Sequence, residues 1–149
     1  MAYLRLRKDL TQRSAPPSWP QGVQPVLLNP GNSRAVHELL TDAFPDFPLY
    51  GQWYSALVAD SEYDPDLCVV ALGAGGAIAG YVQCWTSCFI KDLVVAPPYR
   101  GSGIGLALMQ HVFGRFAYRG AAAVDLKVAV DALPARRLYS RLGMVEVAH

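Results

Sequence analysis

The sequence predicts an α+β domain, a mostly antiparallel sheet completed by one β-α-β unit. Three observations predict it. The chain has 149 residues, the size of one domain, and division into two would leave each half short of core. Its middle reads as short apolar segments separated by turns, a β-meander. Its last third sets a glycine-rich segment and a long apolar helix between two further strands. That order implies a right-handed crossover and a parallel strand pair.

The elements follow in order. Residues 1–22 read as an extended arm over the surface, outside the single domain of residues 23–149. Tyr3, Leu4 and Leu6 suit a short strand within it. Pro16, Pro17, Pro20 and Pro25 crowd the stretch after it and exclude helix there. Residues 23–28 suit a strand near an edge, because they carry a proline. Asn29, Pro30 and Gly31 make a turn, and Ser33 is placed to cap a helix with Val36, Leu39, Leu40 and Ala43 as its apolar stripe. Pro45 and Pro48 interrupt it. A second helix covers residues 49–59, with Trp53, Ala56 and Leu57 on one face.

Residues 67–72 are an unbroken apolar run with β-branched centre, hence a buried strand. Four small residues from Gly73 to Gly76 turn the chain into a strand over 77–85, and a further turn leads to a strand over 88–95. A helix over 103–118 is apolar on more than one side and so buried on more than one side. Residues 122–130 form a strand, and Pro134 opens a short helix in which Leu138 and Leu142 share a face. Gly143 is a C′ glycine before a last strand over 144–147.

Composition excludes several classes. Hydrophobic residues are 52% and charged residues 17%, which is globular and not disordered. No apolar run reaches the ~20 residues of a membrane span. The segment MAYLRLRKDL lacks the apolar centre of a signal peptide. With three cysteines, an odd count, a reduced cytoplasmic protein without a disulfide framework is expected. A net charge of +1 argues against nucleic acid as a partner, and no membrane partner is expected. The balance conceals an asymmetry. Residues 35–90 contain no Lys or Arg and carry seven acids (−7), leaving +8 on the remainder.

The informative segment holds Leu93, Val94, Val95, Pro97, Arg100, Gly101, Ser102, Gly103, Ile104 and Gly105. Small residues at a helix start leave backbone N–H groups uncovered, and these with the positive helix end suit a phosphate or pyrophosphate. Arg100 adds a fork of donors. A P-loop is excluded because no lysine occurs between Lys91 and Lys127. A dinucleotide fingerprint fails because Leu106 stands at the third glycine position. A nucleophile elbow around Ser102 fails because Arg100 and Ile104 replace its glycines.

What fits is Arg-x-x-Gly-x-Gly at Arg100, Gly103 and Gly105. Here the chain resembles the GNAT acyltransferases, which transfer an acyl group from a coenzyme A thioester to an amine. A second motif carries the same resemblance: Ala135, Leu138, Tyr139, Gly143 and Met144 match the family's late helix and the turn into its last strand. The resemblance implies that strands 88–95 and 122–130 splay apart. The pantetheine arm of acetyl-CoA would bond main chain near Leu93 and Val95, and the pyrophosphate would rest on N–H groups from Arg100 to Gly105. It implies that Tyr139 protonates or hydrogen-bonds the leaving sulfur and that a main-chain N–H near Val95 polarises the thioester carbonyl. The family often has an asparagine seven residues before that tyrosine. This chain has Ala132, one polar contact fewer.

Asp92, alone among carboxylates between Asp66 and Asp125, is the candidate general base; Glu62 and Asp64 are loop alternatives. No metal is expected, because Cys84 and Cys88 lack a second ligand pair. The reading is an acetyl-CoA-dependent N-acetyltransferase acting on a primary amine, small molecule or peptide, with a homodimer compatible but unspecified. Because the −7 stretch maps to the family's acceptor side, the amine is expected to be cationic. The aromatics Phe44, Phe47, Tyr50, Trp53, Tyr54 and Tyr63 lie among those acids. The alternative is a non-catalytic acyl-CoA-binding module on the same fold.

Overall fold

Seven strands pair in the order β2–β3–β4–β5–β6–β1–β7 in the computed structural model, which describes residues 2–148. They are β1 (Tyr3–Asp9), β2 (Gln24–Leu27), β3 (Cys68–Leu72), β4 (Ile78–Trp85), β5 (Phe89–Val95), β6 (Ala123–Ala129) and β7 (Val145–Val147). The helices are α1 (Ser33–Ala43), α2 (Tyr50–Ala59), α3 (Ile104–Tyr118) and α4 (Leu133–Arg141). Every pairing is antiparallel except β5 with β6, the two strands that α3 connects. That pair meets only at Phe89 with Asp125 and Ile90 with Leu126. Beyond Ile90 the two strands separate, and a gap opens in the sheet.

Alternation of side chains along a strand explains the two cores. Val69, Ala71, Val82, Cys84 and Ile90 pack with Ile104, Leu108, Met109, Val112 and Phe113 of α3. Their neighbours Cys68, Val70, Tyr81 and Val94 pack with Val36, Leu39, Leu40 and Leu57 of α1 and α2. Strand β3 is therefore apolar throughout because both its faces are covered. The α1 start differs from expectation. Asn32 holds the N-cap position and braces the turn instead, accepting from Asn29 N–H at 2.9 Å and donating to Leu27 O at 3.0 Å. Ser33 is buried and bonds Tyr50 Oη at 2.6 Å.

The larger correction concerns the N-terminal arm. Residues 3–9 are extended, but they form an interior strand between β6 and β7. Leu6 and Leu10 are buried in the α3 core. Arg5 and Arg7 project from the other face onto Asp125 of β6, with Arg5 Nε at 2.7 Å and Arg7 Nε and Nη2 at 2.7 and 2.9 Å. Only the proline-rich part after β1 lies along the surface, where Trp19 packs edge-on against His111 of α3 at 6.0 Å. The last strand accordingly pairs with β1.

Asp125 makes this staple sensitive to acid. Hydrogen bonds from Arg7, then from Arg5, hold its carboxyl below the usual carboxylate range against the opposing effect of burial. A group with a depressed folded pKa contributes stability that is full above its unfolded value, ~3.9, and is lost as pH falls through the folded value. Asp125→Asn is therefore expected to unfold at lower denaturant than the parent at neutral pH, with the difference shrinking as pH drops below about 4. Denaturant midpoints at the two pH values check this, and an equal difference at both would remove the electrostatic account.

Candidate active site

The glycine segment owes its shape to backbone geometry. After a 3₁₀ turn over Pro97–Tyr99, Gly101 and Gly103 adopt φ of +78° and +92°, a region that L side chains avoid. Gly103 is the N-cap of α3 and no side chain caps that end. The first N–H groups of α3 therefore keep their donor capacity, reinforced by the positive helix end. Gly105 has a different reason to be glycine. A Cβ there would stand 3.3 Å from Leu138 Cδ2 and 3.6 Å from Val95 Cγ2, so its absence lets α3 and α4 approach at the mouth of the gap.

Between these elements lies a cavity of about 790 Å³. Leu93, Val95, Arg100, Gly101, Ser102, Gly103, Ile104 and Gly105 all line it, with Leu138, Tyr139 and Arg141 opposite. Arg100 Nε donates to Val95 O at 3.4 Å. Ala96 N–H bonds Ala79 O on β4, so alternation turns the N–H and C=O groups of Leu93 and Val95 away from β4 and into the gap. Asp125 N–H reaches across to Cys88 O, and the same alternation turns Lys127's main chain into the gap from the other side. Val94 is the exception among the expected cofactor residues. Its side chain is buried in the opposite core, and its main chain faces β4.

Tyr139 is 9% exposed and lines this cavity. Burial, then the nearby charge of Asp92, pushes its phenol up to about 12. Among the described residues its hydroxyl has no hydrogen-bond partner. It is a protonated donor with nothing to donate to among the described residues.

Asp92 stands where β5 leaves β6. Gln83 pairs with Asp92 and Cys84 with Ile90, so Lys91 is an extra residue in a β-bulge that re-aims the side chains around it. Lys91 Nζ donates to Asp92 Oδ2 at 2.9 Å. The Asp92 charge acts on Tyr139 and on Tyr81 alike. Tyr81, fully buried, donates to Gln83 Oε1; Gln83 Nε2 donates to Cys84 O at 3.3 Å. Burial pushes the adjoining Cys68 thiol up to about 11. Sequence reasoning missed this network, although Gln83 is the one amide side chain in the strand it placed over 77–85. Asp64 is drawn elsewhere: Arg119 Nη2 at the far end of α3 holds it at 2.7 Å. The Glu62 carbonyl accepts from Thr86 N–H in the β4–β5 turn.

A second cavity, about 460 Å³, lies on the other face of β5. Gln52, Trp53, Ala56 and Leu57 give it a helical stripe of α2, Asp60 follows at the helix end, and Gln83, Trp85 and Lys91 come from the bulged strands. Lys91 of the bulge lines this cavity and Leu93, two residues on, lines the first, while Asp92 lines neither. Of the six aromatics expected near an acceptor, only Trp53 lines this one. Phe47 and Tyr50, together with Trp53, surround His37, each with its ring centroid 5.7 Å away. His37 Nε2 lies 2.7 Å from Pro48 O, tying α1 to the loop at the cavity rim. Among the described residues no three His, Cys, Asp or Glu side chains converge as metal ligands, and no helix is long and apolar enough to cross a membrane.

The family model for the acetyltransferase (GNAT) family matches residues 33–144. Streptothricin acetyltransferase of Streptomyces lavendulae is 39% identical over 79 residues, covering 50% of this chain and 42% of that protein. L-2,4-diaminobutyric acid acetyltransferase of Bordetella parapertussis is 26% identical over 156 residues, covering 97% of this chain and 82% of that one. A GCN5-related N-acetyltransferase structure from Sphaerobacter thermophilus superposes with a TM-score of 0.85 at 33% identity, over 97% of this chain and 48% of that one. The chain thus spans about half the length of the first relative and the first solved structure it matches. Arabidopsis thaliana Naa50 with the bisubstrate analogue CoA-Ac-MVNAL shares the fold, with a TM-score of 0.68 at 23% identity over 82% of each chain.

Proposed function

The chain belongs to the GNAT acetyltransferase family, and from that premise we propose that it transfers the acetyl group of acetyl-CoA to a primary amine on a cationic acceptor. The observation that carries the proposal is the unpartnered Tyr139 hydroxyl, in a cavity floored by uncapped helix N–H groups and bounded by strand groups that lack a partner strand. These donors fit acetyl-CoA. The start of α3 with Arg100 and Arg141 suits its phosphates, and the gap-facing groups of Leu93 and Val95 suit an amide-bearing arm laid between strands.

Acetyl-CoA supplies the activated thioester. The chain's own residues do the rest. Asp92 has carboxylate lone pairs beyond those taken by Lys91 and accepts the proton of the attacking amine. The Leu93 N–H lies two strand residues, roughly 7 Å, nearer to Asp92 than that of Val95. We therefore assign the thioester carbonyl to Leu93, a change from Val95. Tyr139 donates its proton to the departing thiolate. The curated relatives are named for acetylating streptothricin and L-2,4-diaminobutyric acid, and the latter's name specifies amino groups.

The test is thiol release from acetyl-CoA against a panel of amines. Cationic primary amines are expected to be the substrates, with KM rising between about 0.05 and 0.5 M salt as exposed charges are screened. CoA binding without thiol release from any amine would make the chain a non-catalytic binder. Preference for neutral amines with salt-independent KM would remove the cationic acceptor.

A further inference from the structure

The loop that leads into the uncapped end of α3 has a single side-chain anchor. From Pro97 to Gly103 every residue except Tyr99 is exposed. The hydrogen bonds made by this stretch are local. Tyr99 N–H reaches Ala96 O at 2.9 Å, Arg100 N–H reaches Pro97 O at 3.2 Å, and Ser102 Oγ donates to Tyr99 O. Arg100 Nε goes back only as far as Val95 O at the end of β5. These bonds shape the loop without tying it to the rest of the sheet.

Tyr99 supplies the longer connection. Its ring packs against both cores, the one under α3 and the one under α1 and α2, and it ends on Gly73, just after β3. A Cβ at Gly73 would stand 2.5 Å from Tyr99 Oη, 3.0 Å from Cζ and 3.3 Å from Cε1. Gly73 has φ of −89° and ψ of −178°, which any residue adopts. Its backbone does not ask for glycine; the contact with Tyr99 does. Gly73 is buried, and its N–H bonds Ala77 O at 2.7 Å across the turn, so the seat under the ring is itself fixed. Tyr99 lines the cavity of about 790 Å³, and Gly73 does not.

We propose that Tyr99 is a positioning residue for the cofactor loop: its ring, seated on Gly73, holds the loop and the first N–H groups of α3 in place before acetyl-CoA arrives. The inference rests on reading this loop as the pyrophosphate site. A loop fixed in advance spares the ligand the cost of ordering it. The seat works by shape, because the Tyr99 hydroxyl makes no hydrogen bond among the described residues. Packed side chains hold the ring on both sides, and a close-packed interior transmits strain. A side chain added at Gly73 therefore displaces the ring together with the loop that carries it, and a residue outside the cavity controls cofactor affinity.

Calorimetric titration with CoA, beside steady-state kinetics, tests this. Gly73→Ala is expected to weaken CoA by about tenfold, the scale of modest overpacking. KM for acetyl-CoA should rise with it, while kcat at saturation and KM for the amine stay parental. Adding Tyr99→Phe to Gly73→Ala removes the atom at 2.5 Å and should recover about threefold of the lost affinity, a non-additivity that marks two residues acting through one contact. Tyr99→Ala empties the seat and should weaken CoA by about tenfold, which keeps the test open should Gly73→Ala fail to fold. Gly75→Asn lies in the same turn, where a Cβ meets nothing within 4 Å and asparagine tolerates the positive φ; it should bind CoA as the parent does. Parental affinity in folded Gly73→Ala or Tyr99→Ala would overturn the positioning role while leaving acetyl transfer standing. Equal losses in Gly75→Asn and Gly73→Ala, with no recovery on adding Tyr99→Phe, would overturn it too, by placing the effect in the turn and not in the ring. Absence of CoA binding by the parent would overturn both the role and the cofactor site.

Discussion

Tyr139→Phe is expected to lower kcat by ~10²–10⁴-fold, the usual worth of a general acid, with KM for acetyl-CoA little changed. The ring is part of the α3 core, and phenylalanine preserves its shape, so the fold and the cavity should persist. What is lost is a donor with no other partner among the described residues. A change confined to kcat is the signature of an interaction made only in the transition state. The pH dependence adds a second readout. Burial and Asp92 raise the phenol to about 12, so the proton-bearing form persists up to that pH and is lost only above it. Parent kcat should therefore show no basic limb from tyrosine ionisation between about pH 8 and 10, where an ordinary phenol begins to titrate. Steady-state kinetics over that range, on parent and variant, check both statements. A variant with parental kcat would make Tyr139 a packing residue.

How far the sequence discloses this arrangement depends on the range of the interactions involved. The meander and α3 are legible because periodicity and glycine turns are local signals. The opening between β5 and β6 is legible through the resemblance carried by Arg100, Gly103, Gly105 and Tyr139. Strand β1 is not. Its alternation of Leu4 and Leu6 with Arg5 and Arg7 is compatible with a surface ribbon, and the residue that explains the arginines, Asp125, lies 118 positions from Arg7. Asp125 appears in sequence only as an acid in an apolar strand. The charge segregation was legible as a total but not as a site. Folding pairs Asp64 and Asp66 with Arg119, and of the seven acids Asp60 alone lines the second cavity, so the −7 stretch narrows to one carboxylate there. The aromatic residues narrow likewise, because most of them build the packing around His37 and the loop before α2.

Gly103→Val is expected to weaken CoA binding by ~10²-fold in a chain that still folds, and the reason differs from simple collision. A Cβ at Gly103 meets no protein atom within 4 Å. The constraint is the backbone, whose φ of +92° costs an L residue roughly 1–2 kcal/mol and is worse for a β-branched one. The variant relieves that strain by rotating the N-cap, which swings the first N–H groups of α3 off the phosphate position. Losing one or two charge-assisted hydrogen bonds, roughly 1.5–3 kcal/mol each, gives the expected factor. The body of α3 is anchored by Leu108, Met109, Val112 and Phe113, all buried, so circular dichroism and the denaturant midpoint should stay near those of the parent. Alanine substitutions separate the two accounts. Gly103→Ala is still strained by φ and should weaken CoA clearly. Gly105→Ala has no positive φ to violate, and only the flexible end of Leu138 stands at 3.3 Å, so its effect should be smaller. Calorimetric titration with CoA measures all three variants. A folded Gly103→Val with parental affinity would remove the pyrophosphate from this loop, and Gly105→Ala weaker than Gly103→Ala would return the explanation to side-chain crowding.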